Sequence, residues 1–399
     1  MKHSGIEWIQ LMPNDWDVIK GKNLLIQMSR PVRETDEVVT CFRDGEVVLR
    51  SERRTEGFTM SDKEIGYQGI NKGDIVIHGM DGFAGAMGVS KSTGKGSPVL
   101  VVCNPKESDN SRYIIYYLRS LAMTNVFLAL ATGIRERSCD LRWKKIAELP
   151  FIRPSFSEQQ KIADYLDKVC GEIDGLVALQ EAMIDELKAY KQSVITEAVT
   201  RGLNPNVPLK PSGIDWIGDI PKEWKVCRIK DMVDTRSGSN LTTTEISDTG
   251  LYPVYGGNGI RGYYQEYSND GEYVLIGRQG ALCGNVNYAE GKFWATEHAV
   301  VCYPKRVFAR TWFGELLRAM NLGQYSLSSA QPGLAVERIR NLQMPLPPLP
   351  EQQQIASFLD EKCAEIDSLI AIKQQKIEEL KDYKKSIIYE YVTGKKEVV

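Results

Sequence analysis

An internal duplication constrains this sequence more than any other feature. Residues 351–396 repeat residues 158–203 without a gap, 193 positions later, so that Asp174 matches Asp367. A fixed repeat of this length indicates that the chain contains two copies of one structural unit. The 399 residues, of which 42% are apolar, suffice for two such units with their own cores.

Weaker repeats lie upstream of these two blocks. Residues 4–18 recur as residues 212–226, 208 positions later, and residues 74–89 resemble residues 273–286, 199 positions later. The repeats keep their order along the chain, so the copies differ by small deletions in loops. The sequence therefore predicts two divergent modules joined by two similar connectors.

Both connectors have the pattern of a long amphipathic helix, because their apolar residues recur in steps of three and four. The predicted apolar seam of the first connector comprises Ile162, Leu166, Val169, Ile173, Leu176, Gln180, Met183, Leu187, Tyr190 and Val194. The seam of the second comprises Ile355, Leu359, Ile366, Leu369, Leu380, Tyr383 and Ile387, with Lys373 and Lys376 at two seam positions. At ~1.5 Å per residue, residues 162–194 would span about 50 Å.

Chain order predicts how these helices pair. The first helix leaves the first module, and the second helix must run back from the end of the second module. We therefore expect an antiparallel two-helix coiled coil that separates two pseudo-symmetric modules. A B-DNA turn is ~34–36 Å long, so such a rod would hold two modules a little over one turn apart.

The modules themselves have short strands punctuated by glycine and a helix after each strand-rich segment, which indicates an α+β fold. Strands are predicted at 37–42, 45–50, 74–79, 98–103, 251–257, 272–277 and 298–303, and helices at 111–130 and 311–322. We divide the chain into a first module (1–157), a helical spacer (158–203), a second module (204–350) and a C-terminal helical spacer (351–399). The spacers carry net charges of −4 and −2 and the modules +3 and +1, as expected if only the modules contact phosphates.

Composition argues against several protein classes. No apolar run approaches the ~18–20 residues of a membrane span, and the N-terminus has no signal-peptide core. The eight cysteines show no CxxC spacing, and the chain has only three histidines. We therefore expect a cytoplasmic protein with reduced thiols, no membrane association and no metal site.

Tests for catalytic motifs find no active site. The glycines of GGNGIRG (256–262) have the spacing of a dinucleotide fingerprint, but strand-forming residues follow where a helix should begin, so a hairpin is expected instead. KSTGKGS (91–97) lacks the first glycine and the final Ser/Thr of a P-loop. No Asn-Pro-Pro-aromatic tetrapeptide of an amino-methyltransferase occurs. The sequence therefore predicts a protein without catalysis of its own.

Polar loops flanked by glycine are the remaining candidates for function. Arg, Gln and Asn bind base edges bidentately in the major groove, and glycine lets a backbone approach phosphates. We predict that DNA is bound by Tyr67, Gln68, His78, Asp81, Lys91, Ser92, Thr93, Lys95, Asn258, Arg261, Arg278, Gln279 and Thr296. For any one of them, an ordinary turn is an equally good explanation; as a set that recurs in both modules, they favour binding.

The whole chain resembles the specificity subunit of Type I restriction–modification systems. The resemblance is carried by the duplicated MPNDW and IPKEW segments, the two EQQ helix starts, and the segments at 64–86, 252–260, 273–284 and 293–301. It implies two target recognition domains, each reading one half of an asymmetric bipartite DNA sequence, and two helical regions that set the spacer between the halves.

The resemblance also implies partners. Two methyltransferase subunits, which use S-adenosylmethionine to methylate adenine, would dock at the helical blocks and their junctions with the modules. Two restriction subunits would use ATP and Mg²⁺ for translocation and cleavage. This chain itself would need no cofactor.

Two alternatives stay open at this point. The chain could be a helical adaptor that bridges enzyme subunits without touching DNA, although an adaptor would not require the Arg/Gln/Asn loops. A lone nuclease or methyltransferase is disfavoured by the missing motifs.

Overall fold

A computed structural model describes residues 1–53, 65–130, 141–280, 282–326 and 333–398. The chain packs into two units: Met1–Gln180 with Gln375–Val399, and Glu181–Gln374. The sequence assigned each long helix to a spacer as a whole, whereas these units divide both helices. Each unit therefore contains one module, the first part of the helix that follows it and the last part of the other helix.

The first unit combines small antiparallel sheets with helices. Its strands are β1 (Lys2–Ile6), β2 (Ile9–Met12), β3 (Asp17–Lys20), β4 (Leu25–Gln27), β5 (Val39–Cys41), β6 (Val47–Leu49), β7 (Gln68–Ile70), β8 (Ile75–His78), β9 (Met87–Val89), β10 (Gly94–Gly96), β11 (Leu100–Pro105) and β12 (Pro150–Arg153). Its helices are α1 (Gly21–Leu24), α2 (Ser111–Met123), α3 (Val126–Ala129), α4 (Trp143–Glu148) and the first part of α5 (Phe156–Arg201). The central sheet has the order β4-β11-β8-β9.

The second unit repeats this plan. Its strands are β13 (Leu209–Pro211), β14 (Asp219–Pro221), β15 (Lys225–Arg228), β16 (Val233–Ser237), β17 (Tyr252–Gly256), β18 (Gly259–Tyr264), β19 (Asn269–Asp270), β20 (Tyr273–Gly277), β21 (Val286–Ala289), β22 (Lys292–Ala295), β23 (Ala299–Pro304) and β24 (Gln343–Leu346). Its helices are α6 (Ile229–Met232), α7 (Arg310–Ala319), α8 (Val336–Asn341) and the first part of α9 (Leu349–Val392). The central sheet has the order β16-β23-β20-β21.

The two central sheets confirm the predicted duplication at the level of single residue pairs. Val101 lies opposite Ile77 in the first sheet, and Val300 lies opposite Ile276 in the second. Both pairs are related by the offset of 199 residues that the sequence indicates. The α+β fold with two similar modules is therefore confirmed, and the glycine-rich segment 256–262 forms the expected hairpin between β17 and β18.

The two long helices pair in antiparallel orientation within each unit. In the first unit, the ring centroids of Tyr165 and Tyr391 lie 4.5 Å apart, and the Lys384 ammonium binds the Asp174 carboxylate at 2.6 Å. In the second unit, Lys191 binds Asp367 at 2.7 Å. Positions rise along one helix while they fall along the other, as an antiparallel pair requires. None of the described helices combines the length and the apolar character needed to cross a membrane.

The buried seam of α5 differs from the predicted one in its middle. Leu176, Met183 and Tyr190 are exposed, whereas Cys170 and Ile184 are buried. The buried positions take two successive steps of four at the start of the helix, from 162 to 166 to 170, before they resume the alternation. A stutter of this kind moves every second later seam position by one residue, from 176 to 177, 183 to 184 and 190 to 191, and leaves 173, 180 and 187 on the seam.

Each helix start is tied to its module by the residues of the repeated sequence motifs. The indole of Trp16 donates to Glu158 at 2.9 Å, and the indole of Trp224 donates to Glu351 at 2.8 Å. The neighbouring Gln352 is buried, accepts from the backbone N–H of Ala309 at 3.2 Å and donates to the carbonyl of Pro347 at 2.9 Å. The EQQ motif is therefore a structural junction in both units.

We expect Gln352→Ala to lower the free energy of unfolding of the second unit by about 1–3 kcal/mol, because it leaves a backbone N–H without its partner. Gln353→Ala is the matched control, since Gln353 lies next along the helix and is exposed. Urea unfolding of both variants measures the difference. Equal midpoints for the two variants would contradict this role of Gln352.

Candidate nucleic-acid interface

The modules differ where the predicted site residues lie, although both build the same second sheet. In the second unit this sheet has the order β18-β17-β22-β19, with β17 and β22 parallel. In the first unit the β5–β6 hairpin and the β7–β10 pair are joined by a parallel bridge between Val38 and Lys95, which gives the equivalent order β6-β5-β10-β7. We call the strands of these second sheets the added strands. Their turns carry different side chains, Arg43 between β5 and β6 and Asn258 between β17 and β18. A shared scaffold with unlike side chains on its loops is the arrangement expected of two modules that bind different ligands.

In the first unit, His78 and Asp81 come together with a residue that the sequence did not indicate. The backbone N–H of Asp81 donates to His78 Nδ1 at 2.9 Å, and Arg43 donates to the Asp81 carboxylate at 2.9 Å. Burial lowers the pKa of His78, which favours the neutral imidazole. Because Nδ1 accepts a hydrogen bond, the proton of the neutral ring is on Nε2. Arg43 is largely exposed and keeps donors for a ligand.

Lys91 lies beside the turn between β5 and β6, the turn that also carries Arg43. Its ammonium binds Glu46 at 2.8 Å, and Arg53 binds Glu46 at 3.1 Å as well as Asp44. The Asp44 carboxylate has a lowered pKa because it accepts from Arg53. The turn between β5 and β6 therefore lies next to both predicted loops, those of residues 78–81 and 91–93.

The other predicted residues of the first unit lie around the β7–β10 pair. The side chain of Gln68 donates to the carbonyl of Leu100 at 2.8 Å, so this amide is already used within the fold. Thr93 accepts from the backbone N–H of Lys72 at 3.2 Å, and Ser92 accepts through its carbonyl from Ser90. Lys95 pairs with Gly69 across the strands. Tyr67 is half-buried just before β7.

In the second unit, three loops converge through close backbone contacts. A β-carbon on Gly277 would lie 1.8 Å from the carbonyl oxygen of Gly257, so glycine is required there. The backbone N–H of Arg278 donates to the backbone carbonyl of His298 at 2.9 Å, and the backbone N–H of Thr296 donates to the backbone carbonyl of Tyr255 at 2.9 Å. The loops at 257–258, 278–280 and 296–298 therefore form one edge of the unit.

The predicted side chains of this edge differ in accessibility. Arg278 is half-buried and donates through Nη1 to Ser237 at 3.0 Å, and Gln279 is exposed. Arg261 is exposed, while Thr296 is fully buried, and its hydroxyl has no partner within the described ranges. The structure thus brings Arg278 and Gln279 to an accessible loop and places Thr296 beneath it.

Asn258 has a partner that the sequence analysis missed. The side-chain amide of Asn285 donates to the Asn258 carbonyl, and both residues are exposed. The Asn-Val-Asn segment at 285–287 follows a glycine-flanked loop, which was a usable signal. Arg43 was also signalled, since Asp44-Gly45 lies at the junction of two predicted strands and is typical of a hairpin turn.

The chemistry available at these edges is donation and acceptance of hydrogen bonds. No cluster of three potential metal ligands occurs among the residues that the structure describes. Burial raises the pKa of the Cys41 and Cys302 thiols to about 12, so neither supplies a thiolate at neutral pH. Guanidinium, amide and imidazole groups are the side chains that bind base edges and phosphates.

Comparison with known sequences identifies related proteins. Residues 221–382 match the family model described as Type I restriction modification DNA specificity domain. Over 158 residues, the chain is 42% identical to the Escherichia coli type I restriction enzyme EcoprrI specificity subunit, a match that covers 39% of each protein. It is 23% identical to the type I restriction enzyme MjaVIII specificity subunit of Methanocaldococcus jannaschii, over 96% of this chain and 93% of that protein.

Solved structures share the fold. A chain from work on complex assembly and conformational transition of the type I R-M system superposes with a TM-score of 0.75 at 15% identity, over 96% of this chain and 99% of that one. The HsdS subunit from Thermoanaerobacter tengcongensis superposes with a TM-score of 0.53 at 15% identity, over 99% and 100%. The resemblance inferred from the sequence motifs is confirmed.

Proposed function

We propose that this chain, a homologue of the specificity subunits of type I restriction enzymes, is the sequence-specific DNA-binding subunit of such a system. The observation that carries the proposal is a shared scaffold that presents unlike side chains. Both units have the same two sheets, and each carries its own donors on its loops: the largely exposed Arg43 in the first, and the exposed Gln279 beside the half-buried Arg278 in the second. Two unlike reading modules on one chain suit a target with two unlike halves.

The form of the target follows from the same difference. Identical modules related by a twofold axis favour a palindrome. The turns of these two modules carry different side chains, so an asymmetric bipartite sequence is the expected target. Phosphate contacts would position the modules, and base-edge contacts would select the sequence.

The partners are part of this proposal. The chain would direct two methyltransferase subunits, which use S-adenosylmethionine, and two restriction subunits, which use ATP and Mg²⁺, to the target in the cytoplasm. The chain would have no catalytic step of its own. Its task would be recognition and assembly.

The Arg278→Ala variant tests DNA reading. We expect about a tenfold loss of discrimination at the second half-site and none at the first, because Arg278 lies on the accessible edge of the second unit only. The target is first mapped by methylome sequencing of a host that carries the system. Binding of the complex with its methyltransferase subunits is then measured on duplexes with single base-pair changes in either half.

Arg306→Ala is the matched control, since Arg306 is exposed and follows β23 at the end of the central sheet opposite the loop 296–298. An equal loss at both half-sites would refute the assignment of Arg278 to one half. Sequence-independent binding by the unmodified complex would refute the proposed function and favour the helical adaptor.

Docking of the methyltransferases is supported by an exposed apolar stripe that both copies of the repeat carry. Leu176 and Leu369 are 47% and 42% exposed. Leu179 and Ile372 continue the stripe in the two copies as a second pair, so that each stripe lies within one unit. Apolar side chains at equivalent positions of α5 and α9 suit two copies of the same partner.

We expect Leu179→Asp and Ile372→Asp each to remove one methyltransferase subunit from the complex, because each places a charge in one stripe. The double variant should bind none. Ala178→Asp and Ala371→Asp are the controls, since both alanines are exposed neighbours on the same helices. Native mass spectrometry counts the subunits. Full occupancy in the double variant would exclude the stripe as the docking surface.

The helices would also set the spacer of the target. Four residues inserted after Gln180 and four after Gln374, at the boundaries of the two units, leave both Lys–Asp pairs within their own units. One extra turn adds ~5.4 Å to each helix, which is ~1–2 base pairs of B-DNA. We therefore expect the methylated sites of the insertion variant to have a spacer longer by ~1–2 base pairs. An unchanged spacer would show that the length of the helices does not set the spacer of the target.

A further inference from the structure

The Asn258–Asn285 pair is a distinctive feature of the second unit, because two exposed side-chain amides bind each other. Asn258 lies in the β17–β18 turn, and Asn285 lies just before β21, 27 positions later. The Asn285 amide donates to the Asn258 carbonyl. Neither side chain has another hydrogen-bond partner within the described part of the chain.

This pairing fixes what the two side chains can offer to a ligand. An Asn side chain has one NH₂ group and one carbonyl oxygen. Once the NH₂ of one residue is bound to the oxygen of the other, the pair presents one free NH₂ group and one free carbonyl oxygen. The result is the same whichever residue donates. The pair is therefore one donor beside one acceptor.

Only one base matches this pattern in the major groove. Adenine presents the N7 acceptor beside the N6 amino donor, whereas guanine presents two acceptors. Cytosine presents a donor alone, and thymine an acceptor and a methyl group. We propose that the Asn258–Asn285 pair reads an adenine in the second half-site, with one amide donating to N7 and the other accepting from N6. This inference rests on the proposed function of the chain.

The surroundings of the pair support this reading. Gly259, with a φ of +87°, follows Asn258 directly, and the side-chain oxygen of Asn287 lies 3.4 Å from the position of a β-carbon there. Ile260 and Leu282, which flank the pair in sequence, are 54% and 51% exposed. Exposed apolar groups close to the amides in sequence suit the methyl group of the thymine that pairs with adenine.

The turn also orders the pair before DNA arrives. Asn285 is held by its backbone N–H, which donates to Leu282 at 3.2 Å, and by its carbonyl, which accepts from Gly277 at 2.8 Å. A side chain that is already positioned loses less conformational entropy when it binds. The pair thus acts as a preformed unit rather than as two separate contacts.

The test uses the complex with its methyltransferase subunits and duplexes of the mapped target. Each adenine of the second half-site is replaced singly by 7-deazaadenine, which lacks the N7 acceptor, or by purine, which lacks the N6 amino group. We expect one adenine at which either replacement weakens binding about tenfold. At that position, the double variant Asn258→Ala, Asn285→Ala should bind the natural and modified duplexes equally, because each single variant still keeps one amide with a donor and an acceptor.

Asn206→Ala is the matched control, because Asn206 is an exposed amide outside the added strands. It should keep the full sensitivity to both analogues. Thermal unfolding checks that the double variant is folded, and its methylome should accept other bases at the one position. A second half-site with no A·T pair, or a double variant that keeps the sensitivity of the unmodified complex, would overturn the proposal. The proposed function would stand in that case, since it fails only if the unmodified complex does not discriminate half-sites.

Discussion

The structure depends on the hydrogen bond between an indole and a carboxylate that closes each unit. Trp16 binds Glu158 and Trp224 binds Glu351, and each bond joins the start of a module to the start of the helix that follows it. Burial raises the pKa of Glu158, although the Trp16 N–H partly offsets that effect. A β-carbon on Gly202, at the end of α5, would lie 3.2 Å from the Trp224 ring. Three separate segments of the chain therefore meet at one point in the second unit.

This junction lets the scaffold stay constant while the side chains of the added strands and of their turns change. The central sheets keep the same order and register, and the hydrogen bonds that hold them lie within the backbone. The added strands occupy separate small apolar clusters, with Val39, Val47 and Ile70 in the first unit and Phe293 and Ala295 in the second. A change in one added segment thus leaves the main core intact. A scaffold that carries different binding loops needs such a separation.

The sequence predicted the elements with strong periodicity and missed those that depend on contacts between distant segments. Repetition exposed the two modules, and heptad spacing located both long helices. The middle of the α5 seam was wrong, because a single step of four at Cys170 cannot be distinguished from a step of three when Val169 is also apolar. The partnership of Asn258 with Asn285 joins two turns that local pattern does not connect. The DNA-binding residues stay predictions, because the fold shows which loops are accessible and does not show which of their side chains contact DNA.

The repeat explains how the helix register is specified twice by one pattern. Lys191 corresponds to Lys384 and Asp174 to Asp367, so each copy of the repeat supplies a lysine to one ion pair and an aspartate to the other. Exposed pairs of this kind contribute only ~0–1 kcal/mol each, too little to decide stability. A slip of one residue would break both pairs at once and rotate the apolar seam away from its partner. Register is therefore fixed by the agreement of charge and apolar pattern, and any duplication of the block carries both with it.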